Sequence, residues 1–281
     1  MKTILALFLL SSIVISIEAA SSIQQDDQQA RTALDFYQKA NALFQQSQYE
    51  PSLAAVEEAL RRDPKLVPAL TLKARLAMTA NRFDVARNCL RQAVEIEPRS
   101  AENQFLFGFA LYLDNDFTRA LSALEQAARL KPGDARTEFY LALTYDGLGL
   151  AREAIGKYEL VLQLAKEGGS FDLTADALVA YARLLFALGR FDESEKLIDR
   201  ALDIDRDMRD ARYEKGRLRL ERRDADGAIE NGKRALESKG VGAPDRQIHY
   251  LLARAYRLAG RTDLAEIHLA KFRAAPPTLR R

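Results

Sequence analysis

One phrase that ends in proline occurs three times: EEALRRDP at Glu57–Pro64, RQAVEIEP at Arg91–Pro98 and EQAARLKP at Glu125–Pro132. The closing prolines lie 34 residues apart. A fixed period of this length is typical of repeat architectures, in which each unit buries its apolar face against its neighbours. The sequence therefore predicts a stack of similar units.

The same phrase continues toward the C-terminus without the proline. Each copy has a small anchor residue, and the gaps between successive anchors are 34, 34, 34, 40, 34 and 37 residues; the anchors are Ser52, Ala86, Ala120, Ala154, Ser194, Ala228 and Ala265. The two longest gaps contain the turn formers Gly168–Ser170 and Gly240–Pro244. Extra residues between helices map to loops, so we expect two inserts there.

Each unit has the pattern of two helices. In the third unit, 104–113 and 118–130 both show helical spacing of apolar residues, and Asn115-Asp116 breaks the pattern between them. Small residues recur at one position of the first helices: Ala40, Ala74, Gly108, Ala142, Ala182, Gly216 and Ala253. A second row lies in the second helices: Ala59, Ala93, Ala127, Ala201 and Ala235. Small side chains let helix axes approach closely.

Over about Ala33–Ala275 this pattern resembles the tetratricopeptide repeat family, although the chain has no Trp, a residue frequent near the start of that repeat. The resemblance implies an all-α, superhelical solenoid of about seven antiparallel helix pairs. It also implies a concave groove, lined by the first helices, that receives a peptide or a partner helix. The expected repeats cover about 33–66, 67–100, 101–134, 135–174, 175–208, 209–245 and 246–275, with a C-terminal tail at 276–281.

The first twenty residues, MKTILALFLLSSIVISIEAA, form a separate segment. A lysine, an uncharged apolar run and small residues follow one another in the order of a secretory signal peptide. Cleavage after Ala19 or Ala20 would release a chain that begins with a polar spacer at 21–32. The sequence thus predicts an exported protein, periplasmic or secreted, with no membrane span after cleavage. An uncleaved N-terminal anchor is the alternative.

The composition gives no sign of catalysis. The net charge of +2 demands neither nucleic acid nor anionic lipid as a partner. The chain has no CxxC, HExxH, glycine-rich phosphate loop or GxSxG. His249 and His268 could hold a metal only if Asp263 or Glu266 joined them, and helix packing explains both histidines. Cys89 is expected to be a packed thiol. We therefore predict no enzyme activity, cofactor or metal.

Groove-facing residues follow from the resemblance. An aromatic residue recurs one turn into the first helix of five units, and further residues share its face four positions later. The expected partner-binding residues are Tyr37, Asn41, Arg75, Phe105, Phe109, Tyr112, Phe139, Arg183, Tyr213, Arg217, Tyr250 and Arg254. The N-terminal half of this set is aromatic and apolar, and the C-terminal half contains a ladder of arginines.

The arginine ladder (Arg183, Arg217 and Arg254) has two interpretations. The arginines could bind an acidic group of a partner, because guanidinium makes bidentate contacts with carboxylates. Alternatively, Asp176 and Asp210 could neutralise them, since each lies seven residues before an arginine on the same helix.

One subtype of the family binds chaperone C-termini through a Lys/Asn/Arg clamp, and Asn41 stands in a compatible place. Tyr37, however, replaces the expected lysine. Leu72 and Leu106 are apolar where polar clamp groups should follow, so we reject this subtype.

Two functions remain open at this point. The first is an exported scaffold or adaptor that binds a peptide or helix of another protein, and an acidic part of that partner would contact the arginine ladder. The second is a structural scaffold that self-associates, without a peptide ligand. No amphipathic helix follows the last unit in the sequence, so Leu264, Ile267 and Phe272 could be uncovered. A homo-oligomer formed through the C-terminal repeat is therefore the alternative.

Overall fold

A computed structural model describes residues 31–168, 174–240 and 242–275 of the chain. The expected signal segment, most of the spacer, part of the first insert and the C-terminal tail lie outside these ranges. Within them the chain forms fourteen α-helices and no strand. None of these helices is long and apolar enough to cross a bilayer. The predicted all-α, tetratricopeptide-like fold is confirmed.

The described helices follow one another in seven pairs. We number them α1 (31–45), α2 (Tyr49–Arg62), α3 (Val67–Thr79), α4 (Phe83–Ile96), α5 (Ala101–Leu113), α6 (Phe117–Leu130), α7 (Ala135–Gly147), α8 (Ala151–Gly168), α9 (Thr174–Ala187), α10 (Phe191–Ile204), α11 (Arg209–Glu221), α12 (Ala225–Glu237), α13 (Asp245–Leu258) and α14 (Thr262–Ala274). Odd-numbered helices are the first helices of their pairs.

The turn inside each pair has a left-handed residue. Its φ angle is 55–60° at four positions and 72–75° at the glycine positions; the residues are Ser47, Asn81, Asn115, Arg223, Gly149, Gly189 and Gly260. The next amide then reaches back five residues, as in the 2.9 Å bond from the Arg190 N–H to the Leu185 carbonyl. This is the hydrogen bond of a Schellman helix end, which reverses the chain and starts the second helix.

The chain divides into two compact units, one ending at Asp114 and one beginning at Asn115. In unit 1 the core forms around Val56, Leu72 and Leu76. Unit 2 has one core cluster that includes Tyr158 and Ile198 and a second around Ile248 and Leu252. In unit 2 each first helix also contacts the next first helix, from α7 to α13, whereas the described second helices make no comparable contacts with one another. The first helices therefore line the inner side of this unit.

The anchor residues and both rows of small residues lie in the helix interfaces. All seven anchors are fully buried. Where the anchor is serine, its hydroxyl finds a backbone acceptor in the first helix of its own pair. Ser52 Oγ donates to the Ala40 carbonyl at 2.7 Å, and Ser194 Oγ donates to the Ala182 carbonyl at the same distance. A buried serine is thereby accommodated at an alanine position without an unsatisfied polar group.

The two longer gaps have different structures. The first lengthens α8 to 18 residues, against 13 or 14 for α2–α7 and α9–α14. Gly168 belongs to that helix, and the rest of this insert lies outside the described residues. The described residues of the second gap, 238–240 and 242–244, form an irregular link between α12 and α13. Arg209 contacts this link: its Nε donates to the Ala243 carbonyl at 2.7 Å and its Nη1 to the Ser238 carbonyl at 3.1 Å.

Candidate partner-binding site

A cavity of about 190 Å³ lies on the first helices of unit 1. We call it the N-terminal pocket; it is lined by Tyr37, Asn41, Val67, Pro68, Thr71, Leu72, Arg75, Glu97, Ser100 and Asn103. Three of these were expected groove residues: Tyr37, Asn41 and Arg75. The Arg75 guanidinium is exposed and lies 4.8 Å from the centre of the Phe44 ring.

A second cavity of about 370 Å³ lies on the first helices of unit 2. We call it the C-terminal pocket; it is lined by Arg183, Asp210, Tyr213, Glu214, Arg217, Gly242, Ala243, Pro244 and Gln247. Arg183, Tyr213 and Arg217 were expected groove residues. In each pocket the spacing of the repeats thus brings together expected residues from two successive first helices.

The arginines of the C-terminal pocket are paired internally through a buried carboxylate. Glu214 is 2% exposed; one of its oxygens lies 3.0 Å from Arg183 Nε and the other 2.6 Å from Arg217 Nη1. Asp210 lies 3.9 Å from Arg183. Burial of the Arg183 guanidinium lowers its pKa, but Glu214 and Asp210 raise it by more, so its pKa lies above the ordinary value.

Internal neutralisation therefore applies to Arg183 and Arg217. Their main partner is Glu214, and not the Asp176 or Asp210 expected from the sequence. Asp176 makes no ion pair within the described residues. Burial raises the pKa of its carboxyl group, and the like charge of Asp210 raises it further. Burial likewise raises the pKa of Asp146, against the opposing effect of Arg183.

The expected aromatic groove residues differ in exposure. Phe105 and Phe139 are 4% and 5% exposed, so they are core residues that offer a partner little surface. Phe109 and Tyr112 are partly buried, and the Phe109 ring stacks on that of Phe105 at 6.0 Å. Among the described aromatic residues of this set, Tyr37 and Tyr213 are the ones that line the two pockets.

The last pair carries Tyr250 and Arg254 on its first helix, both exposed. The Tyr250 ring lies 5.1 Å from that of Phe272, and the Arg254 guanidinium lies 6.0 Å from the Tyr250 ring. The Arg246 guanidinium also lies against the Phe272 ring, 4.3 Å from its centre. Neither Tyr250 nor Arg254 lines the pockets described above.

Sequence reasoning missed the contribution of the second insert. Ala243 and Pro244 of this insert, together with Gln247 of α13, form one side of the C-terminal pocket, and Gly242 approaches Asp210 closely. The available signal was the insert itself, because extra loop residues beside a predicted groove can extend its wall.

The two histidines face each other across α13 and α14. Their Nδ1 atoms lie 3.1 Å apart, and the Tyr256 ring stacks on His268. Burial lowers the pKa of His268 to about 4, with further lowering by His249 and two lysines. In the part of the chain that the structure describes, no group of three or more His, Cys, Asp and Glu side chains is placed to hold a metal ion.

Cys89 lies in α4 and is buried. Burial raises the pKa of its thiol above the ordinary value, with Lys73 acting in the opposite direction. A protonated, packed thiol is a poor nucleophile, because the thiolate is the reactive form.

The fold is a helical repeat, and each of its two units has a surface pocket on its first helices. The family profile described as tetratricopeptide repeat matches residues 71–135, 139–210, 179–243 and 213–278. The chain belongs to the tetratricopeptide repeat family, whose members are generally non-enzymatic scaffolds for protein–protein interaction. No curated protein matches the chain.

Several solved structures share the fold. A tetratricopeptide repeat protein from Parabacteroides merdae is 12% identical, with a TM-score of 0.70 over 88% of this chain and 94% of that one. YrrB, described as having an unusual peptide-binding site, is 18% identical, with a TM-score of 0.55 over 68% and 94%. The APC/C hetero-tetramer Cut9–Hcn1 is 15% identical, with a TM-score of 0.68 over 80% of this chain; the match spans 43% of that chain.

Proposed function

We propose that the protein is an exported interaction scaffold or adaptor that binds a peptide or helix of a partner protein along its first helices. The observation that carries this proposal is the placement of the two pockets. Each lies on the first-helix face of its unit, and each contains three residues expected to face the groove. The peptide-binding site described for the structurally similar YrrB supports the same class of ligand.

The chemistry of the pockets favours a peptide over an apolar small molecule. Tyr, Asn, Gln and Arg side chains line them beside short apolar surfaces, a mixture typical of polypeptide recognition. Tyr and Arg are also the residue types that most often dominate binding energy at protein interfaces.

The binding proposal can be tested by selecting peptides from a random library on the purified chain. Two variants fill the pockets with a large ring, Asn41→Trp in unit 1 and Gln247→Trp in unit 2. A matched control is Gln92→Trp, an exposed position of α4 outside both pockets. We expect selected peptides to bind the control as they bind wild type and to lose affinity for at least one filled-pocket variant. Equal affinity for all four proteins would exclude the pockets as the site.

Export rests on the character of Met1–Ala20 and needs its own test. The protein recovered from the envelope or medium should begin at Ala20 or Ser21. N-terminal sequencing of that fraction would measure this directly, and an intact Met1 would support the retained anchor instead.

A second candidate function, self-association, is favoured by the exposure of α14. Leu264 is 40% exposed and Ile267 51%, while Ala265 is the buried residue of this helix. Light scattering over a range of concentrations tests this candidate. A mass that rises with concentration, and that falls to the monomer value in Ile267→Glu or after removal of 274–281, would favour self-association. A constant monomer mass would exclude it.

A further inference from the structure

The two histidines of the chain occupy a pair of positions that the repeat pattern brings together. His249 lies four residues before the small residue Ala253 of its first helix, and His268 lies three residues after the anchor Ala265 of its second helix. These two helices, α13 and α14, pack against each other. The Nδ1 atoms of the two rings lie 3.1 Å apart, and the ring centres lie 5.1 Å apart. The contact therefore belongs to the interface inside the last helix pair.

Two other repeats fill the same pair of positions with complementary side chains. In the fourth repeat an ion pair joins Lys157 Nζ to Glu138 Oε2 at 2.7 Å. In the sixth repeat Arg212 Nη1 donates to Asn231 Oδ1 at 3.3 Å. These side chains link the first helix of a repeat to its second helix. The last repeat differs from them because two identical groups face each other there.

Two imidazole groups can share this contact in two ways. A neutral imidazole has one N–H and one lone pair, so one Nδ1 can donate a hydrogen bond to the other. Alternatively, both Nδ1 atoms can present lone pairs to one metal ion, with the protons on Nε2. Two bonds of about 2.05 Å to nitrogens 3.1 Å apart would enclose an angle of about 100° at the metal, between the square-planar and tetrahedral values. The separation of the nitrogens thus suits a metal ion as well as a hydrogen bond.

The surroundings of the pair orient one ring and leave both accessible. The Tyr256 ring stacks on His268 with the ring centres 5.4 Å apart, and both histidines are partly buried. Glu266 pairs with Arg257 at 3.4 Å. No third His, Cys, Asp or Glu side chain of the described residues is placed to join the two imidazoles. Water or a side chain of another molecule would therefore complete the coordination of a metal ion.

The charges near the pair determine which cations suit it. Lys271 lowers the pKa of both histidines and Lys233 lowers that of His268, whereas Asp245 raises that of His249. The two lysines oppose a cation that is held by charge alone. Imidazole is a good ligand for copper, nickel and zinc, whereas magnesium and calcium prefer oxygen ligands. The donor set therefore favours transition-metal ions.

We propose that His249 and His268 form a chelating site for a divalent transition-metal ion of the Cu²⁺, Ni²⁺ and Zn²⁺ class, bound through the two Nδ1 atoms and linking α13 to α14. The ion takes the linking role that the Glu138–Lys157 ion pair has in the fourth repeat. The sequence alone predicts no metal, because it does not show that the two rings meet. This site is independent of the proposed peptide binding.

The test titrates ZnCl₂ into the full chain by isothermal titration calorimetry. The protein carries no histidine tag, and the measurement is made at about pH 7.5, where an ordinary imidazole is mostly neutral. We expect one ion per chain. Binding to His249→Asn or His268→Asn should be at least about tenfold weaker, since even the loss of a contact that supports a metal ligand typically costs that much. Zn²⁺ binding that is undetectable, or equal in the wild type and both variants, would show that the two rings form a hydrogen bond only.

A measurement on the wild type alone does not depend on how the variants fold. The chain has only two histidines, so coupling of Cu²⁺ to imidazole nitrogen in electron paramagnetic resonance reports on this pair. Two coupled imidazole nitrogens at one equivalent of Cu²⁺ support the chelate. One coupled nitrogen, or none, overturns it.

A charge variant gives the test a second direction. Lys271→Gln removes a positive charge that acts on both rings, so at low ionic strength it should tighten the binding of Zn²⁺. The matched control is Lys39→Gln, at an exposed position of α1, which should leave the affinity unchanged. Zn²⁺ should also raise the melting temperature of the wild type but not that of His249→Asn, because only the folded chain holds both imidazoles together. Equal affinities for the two lysine variants, or equal thermal shifts for wild type and His249→Asn, would contradict binding at this pair.

Discussion

The Glu214 carboxylate lies 3.0 Å from Arg183 Nε, although the two residues belong to different repeats and Glu214 is almost completely buried. A buried carboxylate needs partners, because removing a charge from water costs several kcal/mol unless the charge is compensated. Arg183 and Arg217 supply that compensation on the inner face of unit 2. The pair therefore links α9 to α11 and determines the charge of the C-terminal pocket.

Substituting Glu214→Gln should destabilise unit 2. The shape of the side chain is kept, but both guanidinium groups lose their buried counter-charge. We expect a loss of about 1–3 kcal/mol in the free energy of unfolding, less than for a fully buried pair because Arg183 is half exposed. Urea unfolding followed by circular dichroism measures this change. Glu230→Gln, which removes an exposed ion pair with Arg234 on α12, is the control and should change stability by less than about 1 kcal/mol.

The helices of this chain could be predicted because their signal is repeated. The expected 104–113 and 118–130 correspond to Ala101–Leu113 and Phe117–Leu130, and differ only by the first residues of each helix. Glu102 and Asn103 are polar, and Ala101 and Phe117 directly follow the caps Ser100 and Asp116; helix ends of this kind are not marked by apolar spacing. The left-handed residue at each turn could also be predicted from the sequence, since Gly or Asn occupies most of these positions.

The pairing of the arginines could not be predicted from the apolar pattern alone. Asp176 and Asp210 were considered because they share a helix face with an arginine, but the main partner is three residues from Arg217 and one repeat away from Arg183. A signal did exist. Glu214 stands where other first helices carry the buried Leu72, Leu106 and Leu251, and a charge at a core position requires a partner.

Substituting Gly216→Ala should destabilise the chain, although alanine occupies the equivalent position in most other repeats. A Cβ built at Gly216 would lie 2.7 Å from Leu251 Cδ2, and Leu251 is itself buried in the next helix pair. The clash should outweigh the helix-propensity gain of about 1 kcal/mol for Gly→Ala. We expect a lower urea midpoint than that of the wild type.

The matched control is Gly156→Ala in α8. Nothing lies within 4 Å of a Cβ built at Gly156, so only the propensity term changes. This variant should be more stable than the wild type by about 0.5–1 kcal/mol. If the two glycine variants shift the midpoint in the same direction, the packing role assigned to Gly216 is contradicted.

Acidification should weaken the last helix pair through His268. Burial, the neighbouring His249, and then Lys271 and Lys233 lower its folded-state pKa to about 4, from an ordinary value of 6.5. Between these two pH values the unfolded chain binds more protons than the folded one, so the stability contributed by neutral His268 is complete above pH 6.5 and is lost as the pH falls toward 4.

The test compares wild type with His268→Asn across this range. Other groups near His268 also titrate or carry charge, namely His249, Asp245, Lys271 and Lys233, so the informative quantity is the difference between the two proteins. We expect the melting temperature of the wild type to fall more steeply between pH 7 and pH 4.5 than that of the variant. Parallel profiles would show that His268 has an ordinary pKa in the folded protein.

Arg209 should hold the second insert, and with it one wall of the C-terminal pocket, against α11. Its side chain is 11% exposed, and its guanidinium donates to the carbonyl oxygens of Ala243 and Ser238 and pairs with Asp245. Arg209→Lys keeps the charge, but a single ammonium group cannot contact the Ala243 carbonyl, the Ser238 carbonyl and the Asp245 carboxylate in the geometry of the planar guanidinium. We expect a loss of about 1–3 kcal/mol in the free energy of unfolding.

Local loosening of this link should also be measurable, because backbone amides of the insert and the start of α13 would exchange faster with deuterium in Arg209→Lys than in wild type. Arg206→Ala, an exposed neighbour whose side chain makes no ion pair within the described residues, is the control and should leave both quantities unchanged. Selected peptides that need the C-terminal pocket should bind Arg209→Lys less tightly, since Ala243, Pro244 and Gln247 would no longer be held in place. Unchanged exchange in the insert would mean that its conformation does not depend on Arg209.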